Sequence, residues 1–532
     1  MKTVFVLFDS LNRLSLGAYG GTAVETPNFD RFAKRAVTFD KHYVGSLPCI
    51  PARRDMHTGR LNFMHRHWGP LEPFDESFPR ILSDNGVYTH LISDHLHYFE
   101  EGGWGYANAF DSWEYIRGQE YDTLRAVVAP PVGRLREKFD SRHYPMESLR
   151  DGRTATRGNT DYLAWKRSRA AINHDFRTEE ADFPTAKCFA AAFDFLDLNK
   201  GADDWFLQLE CFDPHEPFAA PERFRAAYDA GYNGKILDWP HYERAADSET
   251  EIAEIRGNYA ALVAMCDEYF GKLLDYFDDN DLWKETSLVL TTDHGFLLSE
   301  HEWWGKNRTP YYEEISHIPL MIWHPEYASQ SGERRCGLTQ TSDLMQTFLD
   351  THGCGIPPSV TGASLHPMLA EDTPVRDSLI LGMFGGPVCA IDGQYSLFLY
   401  PRDLSGKNLN IYTLAFAHMT RPFDIAELHS GELVAPFDFT KGAPVMKIRL
   451  EPNNTQVGQD GQSLANCKTV LFDLEKDPGQ SEPINDPKTI ERLKVEIARH
   501  FERHDAPAEI YAHFGIEKEQ EFSHGPAPRA GR

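Results

Sequence analysis

The segment from Pro48 to Arg60 carries the most informative set of reactive side chains in the chain, Pro48-Cys49-Ile50-Pro51-Ala52-Arg53-Arg54-Asp55-Met56-His57-Thr58-Gly59-Arg60. Pro51 suits the first turn of a helix, so Cys49 is expected at or just before the helix N-terminus. There it would meet free backbone N–H groups and the positive end of the helix dipole. Arg53 follows one turn later and projects toward the same spot. Cys49 is therefore a candidate site residue, although most lone cysteines are simply buried.

Four predicted strands end in acidic and imidazole side chains. The four ends read Asp9-Ser10, Asp94-His95-Leu96-His97, Asp213-Pro214-His215 and Asp293-His294-Gly295. Functional groups of doubly wound sheets collect at the carboxyl ends of strands, so we expect these groups to share one edge. Carboxylates with imidazoles suit a divalent metal between hard and borderline. A single Asp could instead cap the element that follows it, but the four ends together favour a metal site.

Short apolar runs alternate with helical patterns over the first two thirds of the chain. The runs predict strands at residues 4–8, 88–92, 205–211, 287–292 and 319–323, and helical spacing of apolar residues appears at 78–82, 189–196 and 252–273. This succession predicts an α/β fold with a large mixed, mostly parallel sheet sandwiched by helices. We assign residues 1–384 to this N-terminal domain. The polar stretch at 135–182 is interpreted as an insertion or lid.

The pattern changes after about residue 385. Residues 388–391 and 395–400 flank Asp392-Gly393, which predicts a hairpin. A further strand is expected at 468–474 and a helix at 489–500. We therefore predict a smaller C-terminal α+β subdomain with an antiparallel sheet at 385–516. A polar tail rich in Gly and Pro follows at 517–532.

Composition excludes several classes of protein. The 532 residues include 80 acidic and 54 basic side chains, a net charge of −26, and 41% hydrophobic residues. A packed core is available, whereas the negative charge argues against nucleic-acid and anionic-membrane partners. No apolar run approaches the roughly 20 residues of a membrane helix, and no export signal is visible. Eight scattered cysteines without a C-x-x-C pair favour a reduced, cytoplasmic protein.

Residues 48–60 match the C-x-P-x-R…T-G-R signature of the type I sulfatases, within the alkaline phosphatase superfamily. The resemblance continues in Asp9 with residues 16–20 and 26–30, in residues 214–218, in residues 293–295 with Lys306, and in residues 471–478. These segments touch both ends of the chain. The sequence is therefore identified as a member of this family.

The resemblance implies a hydrolase of sulfate monoesters. In this family the motif cysteine, here Cys49, is oxidised after translation to formylglycine, and the hydrate of that residue is the nucleophile. One divalent metal ion, Ca²⁺ or Mn²⁺, would be held by Asp9, Cys49, Asp293 and His294. Arg53 and Lys306 would stabilise negative charge. His215 would protonate the leaving group.

Two further assignments come from positions where the chain departs from the family, and a third concerns a basic residue close behind Lys306. Ser10 stands where many sulfatases have a second Asp, so Ser10, Asn12 or a water would complete the metal site. A Lys-x-His pair is replaced by Asp94-His95-Leu96-His97. We carry over His97 as the catalytic base or anion contact and His95 as a second, substrate-binding candidate. Arg308 would contact the anion or pair with the acidic residues at 313–314.

The expected substrates are small anionic esters. A pocket lined by cations, namely Arg53, Arg54, Arg60, Lys306 and Arg308, can bind a small anion at short range, whereas the acidic exterior would repel a long sulfated polysaccharide. One alternative is a phosphonate monoester or phosphodiester hydrolase of the same superfamily. A less favoured one is a catalytically silent binding homologue. The implied partners are a formylglycine-generating enzyme during maturation and, through the insertion and tail, a second copy of the chain.

Overall fold

A computed structural model describes residues 1–146, 161–307, 309–402, 406, 408–450 and 468–518. Its ten N-terminal strands are β1 (Lys2–Phe8), β2 (Val37–Tyr43), β3 (Tyr88–Ser93), β4 (Ser112–Tyr115), β5 (Trp205–Cys211), β6 (Thr286–Thr291), β7 (Leu297–Leu298), β8 (Trp304–Gly305), β9 (His317–Trp323) and β10 (Arg334–Gln340). Eight form one sheet in the order β10-β2-β9-β6-β1-β5-β3-β4, and β7 pairs with β8. Only β9 is antiparallel to its neighbours in this sheet. The predicted large mixed, mostly parallel sheet is confirmed.

Helices cover both faces of the large sheet. The helices of the N-terminal part are α1 (Pro27–Ala33), α2 (Cys49–Thr58), α3 (Phe78–Asp84), α4 (Val132–Lys138), α5 (Asp161–Asp175), α6 (Pro184–Leu198), α7 (Glu222–Arg225), α8 (Glu249–Asp279), α9 (Glu313–Ser316), α10 (Asp343–Thr351) and α11 (His366–Glu371). Successive side chains of a strand point to opposite faces. In β1, Val4, Val6 and Phe8 pack with α1, α6 and α8, while Phe5 and Leu7 pack with α2, α3 and α10. Burial on both sides explains the uninterrupted apolar run.

The C-terminal part contains the predicted antiparallel sheet and one that was not predicted. Strands β11 (Leu379–Gly382), β12 (Val388–Ile391), β13 (Tyr395–Leu399), β14 (Asn410–Thr413), β15 (Glu432–Val434), β16 (Val445–Arg449) and β17 (Val470–Asp473) form a four-stranded sheet, β11-β12-β13-β17, and a three-stranded sheet, β14-β16-β15. The hairpin β12–β13 turns at Gly393, whose φ is 91°. Helices α12 (Ile425–His429), α13 (Pro487–Arg503) and α14 (Ala508–Phe514) complete this part. Leu493 and Ile497 of α13 pack on the four-stranded sheet.

The stretch at 135–182 contains the end of α4, helix α5 and a small apolar core of its own. Leu135, Phe139, Tyr144 and Ala171 pack there together with Trp239. Residues 147–160 of this stretch and residues 519–532 of the tail lie outside the described residues. Among the helices that the structure describes, none combines the length and apolar character that crossing a membrane requires.

Candidate active site

Three acidic side chains meet at the carboxyl edge of the central strands. β1 lies between β5 and β6, and Leu7 is in register with Glu210 on one side and Thr291 on the other. Asp9 follows β1 and Asp293 follows β6, so the carboxylates of Asp9, Glu210 and Asp293 share one edge. All three residues are 0% exposed. Buried carboxylates of this kind require charged partners.

Arg53 supplies the shared partner of these three carboxylates. Its guanidinium forms ion pairs with Asp9 (2.8 Å), Glu210 (2.7 Å) and Asp293. Burial raises the pKa of Asp9, but the charges of Arg53 and Lys306 outweigh burial and bring that pKa down to about 2. Asp9 is therefore ionised at neutral pH. Arg53 lies where the sequence placed it, one helical turn after Cys49.

Cys49 is the first residue of α2, as the sequence predicted. Pro51 lies in the first turn, where its missing N–H costs nothing. The Cys49 Sγ atom lies 3.1 Å from Nε2 of His294. Burial raises the pKa of the Cys49 thiol well above its usual range. The thiol is consequently protonated at neutral pH, which makes an unmodified Cys49 a weak nucleophile.

Asp9, Cys49, Asp293 and His294 form a compact, fully buried ligand cluster. One ligand atom from each lies within 4.8 Å of the others. Two ligands that bind one ion at 2.0–2.6 Å are separated by at most about 5 Å, so the cluster has the size of a metal site. His294 Nδ1 donates to the carbonyl of Gly295 at 2.9 Å, which leaves Nε2 free to face the cluster. The donor set and its geometry fit a divalent ion.

Ser10 contacts both carboxylates of this cluster. Its backbone N–H donates to Asp293 Oδ1 (3.1 Å), and its hydroxyl donates to Asp9 Oδ1 (2.7 Å). Asn12 has a different partner, because its side-chain amide donates to the carbonyl of Phe296 (2.8 Å) and accepts from the N–H of Phe296 (2.6 Å). Ser10 thus orients the cluster, and Asn12 fixes the loop that follows Asp293.

Lys306 lies beside the cluster. Its Nζ atom is 3.5 Å from the Ser10 hydroxyl and 3.8 Å from Glu216 Oε2. Although burial opposes the charge, the acidic groups around Lys306, including Asp9, raise its pKa. Lys306 is therefore a buried, permanently charged ammonium group at the edge of the site.

The ring of His215 lies against that of Phe212 in a tilted contact with a centroid distance of 3.9 Å. Its Nδ1 atom donates to the carbonyl of Glu216 at 2.5 Å, so Nε2 is the nitrogen available to a substrate. Burial, assisted by the charge of Lys306, lowers the pKa of His215 well below its usual range. In the absence of an anion, His215 is neutral.

His95 and His97 have different surroundings. His95 is fully buried, its Nδ1 lies 4.0 Å from Asp9 Oδ2, and neither ring nitrogen has a hydrogen-bond partner within the described residues. His97 pairs with Glu100 (2.6 Å) and lies 3.6 Å from Glu120. The structure thus brings His95 to the cluster and engages His97 in carboxylate contacts at its margin.

The two remaining strand-end acids do not join the cluster. Asp94 accepts from the backbone N–H of Phe212 at 2.6 Å, and Asp213 accepts from the hydroxyl of Thr185 at 2.6 Å. These bonds hold other segments of the chain in place and do not cap the element that follows either Asp, so the capping alternative is not confirmed. Glu210, which the sequence interpretation missed, takes part in the site instead. A charged residue inside an apolar strand of a parallel sheet was the signal that could have identified it.

Two of the five cations predicted to line the pocket point elsewhere. Arg54 forms a two-pronged pair with Asp75 at 2.8 and 3.0 Å. Arg60 follows the far end of α2 and lines a different cavity. The predicted contribution of both to the anion pocket was wrong, because side chains 54 and 60 leave the helix in directions that Cys49 and Arg53 do not share. Arg308 lies outside the described residues.

The family model described as Sulfatase matches residues 2–354. The chain therefore belongs to the sulfatase family of sulfuric ester hydrolases.

Three relatives illustrate the similarity. An N-acetylglucosamine-6-O-sulfatase from Bacteroides thetaiotaomicron is 24% identical over 412 residues, which cover 69% of this chain and 71% of the relative. A solved structure of a protein in complex with its substrate, D-glucosamine-2-N,6-O-disulfate, has a TM-score of 0.62 at 16% identity. The match covers 95% of this chain and 98% of that protein. A phosphonate monoester hydrolase from Silicibacter pomeroyi has a TM-score of 0.60 at 18% identity, with 95% and 96% covered. Both structures share the fold.

Proposed function

We propose that the protein hydrolyses small sulfate monoesters with a formylglycine nucleophile formed from Cys49. The observation that carries this proposal is the position of Cys49, whose Sγ atom belongs to the same 4.8 Å cluster as Asp9, Asp293 and His294. In the absence of a metal ion, the raised pKa of the Cys49 thiol argues against direct attack by sulfur. Conversion of the side chain to a hydrated aldehyde would replace a protonated thiol with an oxygen nucleophile at the same place.

The cluster would hold one divalent metal ion, Ca²⁺ or Mn²⁺, with His294 leaving room for the transition ion. When bound, the ion would supply Lewis-acid activation of the nucleophile and of the ester oxygen. Electrostatics support it: the buried carboxylates of Asp9, Glu210 and Asp293 share the single guanidinium of Arg53. A divalent cation compensates the excess negative charge that remains.

Arg53 and Lys306 provide fixed positive charge for an anionic ester. Arg53 is locked by its ion pairs, so it is preorganised to stabilise charge at the nucleophile. Lys306, 3.5 Å from the Ser10 hydroxyl, is placed to bind the oxygens of the transferred group. Arg53 and Lys306 would thus stabilise negative charge on the same anionic ester from different elements of the fold.

His215 is proposed as the general acid. It donates Nδ1–H to the carbonyl of Glu216, which directs Nε2 toward the leaving oxygen. Protonation of Nε2 requires a raised pKa, and an anionic ester beside Lys306 would raise it by offsetting the charge of that lysine. The acid would thus be charged only when substrate is present.

A histidine after β3 is proposed as the base that assists the second half of the reaction. His97 is the residue carried over from the family, but the distance of 4.0 Å between His95 Nδ1 and Asp9 Oδ2 favours His95. His97, held by Glu100 and Glu120, would orient the substrate. The 135–182 insertion would form the wall beside it, because Lys166 of α5 bonds Glu100 at 3.2 Å.

The test of this function has two parts. Peptide mass spectrometry of Cys49, in protein made with a formylglycine-generating enzyme, should detect the aldehyde residue. Relative kcat/KM values for an aryl sulfate, a phosphonate monoester and a phosphodiester should then favour the sulfate. The similar fold of a phosphonate monoester hydrolase makes that enzyme class the alternative, and phosphorus substrates preferred by orders of magnitude would establish it. An unmodified, inactive protein from the native host would indicate a binding homologue.

Substrate size is part of the proposal. The net charge of −26 opposes the approach of a sulfated polymer, whereas the pocket cations act on a small anion at short range. The relative solved with a disulfated monosaccharide supports a small substrate. Faster turnover of a sulfated polysaccharide than of small esters would refute this restriction.

A further inference from the structure

Three buried arginines follow one another at six-residue spacing, and only two of them have partners. Arg54, Arg60 and Arg66 are 6%, 7% and 1% exposed. Arg54 forms its pair with Asp75, and Arg66 donates to the carboxylate of Glu72 and to three further oxygen atoms. Arg60 has neither a hydrogen bond nor an ion pair within the part of the chain that the structure describes. Its buried guanidinium therefore lacks an acceptor.

The guanidinium of Arg60 lies over an aromatic ring. Its Cζ atom lies 3.4 Å from the ring centroid of Phe439, a close cation–π contact. The ring covers the guanidinium carbon, and a cation–π contact of this kind satisfies none of the N–H donors. The side chain is thus fixed in position while its donors stay unused.

Arg60 opens onto a cavity of about 590 Å³ between the end of α2 and the C-terminal part. The other lining residues are Glu76 and members of three segments, namely 358–361, 438–441 and 502–505. A water molecule occupies roughly 30 Å³ of liquid, so the cavity has room for a polyatomic ligand.

The acidic groups around this cavity are engaged elsewhere or stand at its rim. Glu76 pairs with Lys441 at 3.0 Å. The carboxylate of Asp505 accepts from the backbone N–H of Asp438 at 2.7 Å. The side chains of Asp438 and Glu502 are exposed. None of these carboxylates forms an ion pair with Arg60, although the cavity contains four of them.

A buried guanidinium whose donors have no acceptor is strongly unfavourable, even where the carboxylates of Asp75 and Asp505 are near enough to favour its charge. Burial lowers the pKa of Arg60 to about 10, so the side chain is still charged at neutral pH. The neighbouring arginines show how this chain compensates a buried guanidinium, by presenting carboxylate or carbonyl oxygens to its donors. At Arg60 the equivalent oxygens must come from water or from a ligand in the cavity.

We propose that this cavity is a second anion site, in which the edge of the Arg60 guanidinium binds two oxygens of a small oxyanion, such as a phosphate, sulfate or carboxylate group. A planar guanidinium matches two adjacent oxygens with parallel hydrogen bonds. The site is distinct from the catalytic cluster. Cys49 begins α2 and Arg60 lies beyond its last residue, Thr58, which is about 14 Å from Cys49 at the helical rise. The proposal does not depend on the reaction proposed above.

Crystallography of the full-length protein tests the site directly. Crystals soaked in selenate, a tetrahedral oxyanion with an anomalous signal, should show selenium within hydrogen-bond distance of the Arg60 guanidinium. The peak should be absent in Arg60→Met and present in Arg54→Lys, the matched control with a partnered arginine. Selenium at the catalytic cluster alone, with water at Arg60, would overturn the proposal.

Calorimetric titration in solution identifies the preferred group. Inorganic phosphate, sulfate and acetate are titrated at constant ionic strength set with chloride. Wild type should bind one anion more than Arg60→Met, and Arg60→Lys should bind it roughly tenfold or more weakly because the fork is lost. If Arg60→Met does not fold, Phe439→Leu takes its place in the test. This variant keeps the charge of Arg60 but removes the ring that contacts it, so it should weaken binding of the same anion. Equal stoichiometry and affinity in wild type and these variants would refute the site.

Discussion

Replacing Glu210 with Gln tests whether the Arg53 network holds the catalytic edge together. One oxygen of Glu210 accepts from Arg53 Nε at 2.7 Å, and the other accepts from Tyr98 Oη and from Gln208 Nε2, both at 3.0 Å. Gln has the same shape but no charge. Its amide oxygen can keep the contact with Arg53 only if its NH₂ group turns toward Tyr98 Oη and Gln208 Nε2, which are both donors.

The expected cost follows from these contacts. Removing one partner of a buried ion pair costs roughly 3–5 kcal/mol. Because Arg53 keeps Asp9 and Asp293, we expect the lower end, about 3 kcal/mol of unfolding free energy. Tyr98→Phe, the matched control, removes a single hydrogen bond to a charged group and should cost about 2 kcal/mol or less.

Urea unfolding of the metal-loaded enzyme measures the loss in stability. An unchanged m-value shows that variant and wild type expose the same amount of surface on unfolding. In addition, kcat/KM for a small aryl sulfate should fall more in Glu210→Gln than in Tyr98→Phe, since only the first releases Arg53 from the strand. If Glu210→Gln were as stable and as active as wild type, the network would not position Arg53, and the electrostatic argument for the site would fail.

Three further predictions concern the metal, the pH dependence of stability and the two histidines. A chelator should lower the Tm and the activity of wild type, and Ca²⁺ or Mn²⁺ should restore both. Asp293→Asn should show no such response if Asp293 is a ligand. An unchanged Tm of wild type after chelation would contradict the metal site. Burial raises the pKa of Glu120 to about 7, so the folded state loses stability as pH rises from about 4.5 to 7. In unfolding titrations, Glu120→Gln should thus be more stable than wild type by up to roughly 3 kcal/mol near pH 8 and equally stable near pH 4. Equal stability of the two proteins near pH 8 would count against a buried charge at Glu120. His95→Asn should reduce kcat by roughly 100-fold or more and His97→Asn chiefly raise KM, so the reverse pattern in steady-state kinetics would restore His97 as the base.

The large sheet and its helices were predictable because burial on both faces leaves a simple pattern. Strand β1 is apolar throughout, and α8 repeats apolar residues over 31 residues behind a capping box at Ser248 and Glu251. Such long, regular signals specify element type. Strand-end acids then indicated Asp9 and Asp293, because parallel topology brings carboxyl ends together.

The elements that were missed depend on contacts that a sequence does not display. The sheet β14-β16-β15 consists of strands of three to five residues, and Glu432 and Leu433 of β15 are exposed, so no periodic apolar face marks it. Glu210 was hidden inside an apolar strand. Arg60 was assigned to the anion pocket because it shares a motif with Cys49. The ten-residue helix α2 lies between the two residues, however, so they stand at opposite ends of it.

The burial of Cys49 has a consequence for how active enzyme is made. Its side chain is 1% exposed, at the start of a helix packed beneath the sheet edge, so a modifying enzyme cannot reach it in the folded chain. On the proposed chemistry, maturation and folding compete for the same nascent polypeptide. A chain that folds first retains its thiol permanently, and the active fraction is fixed during synthesis.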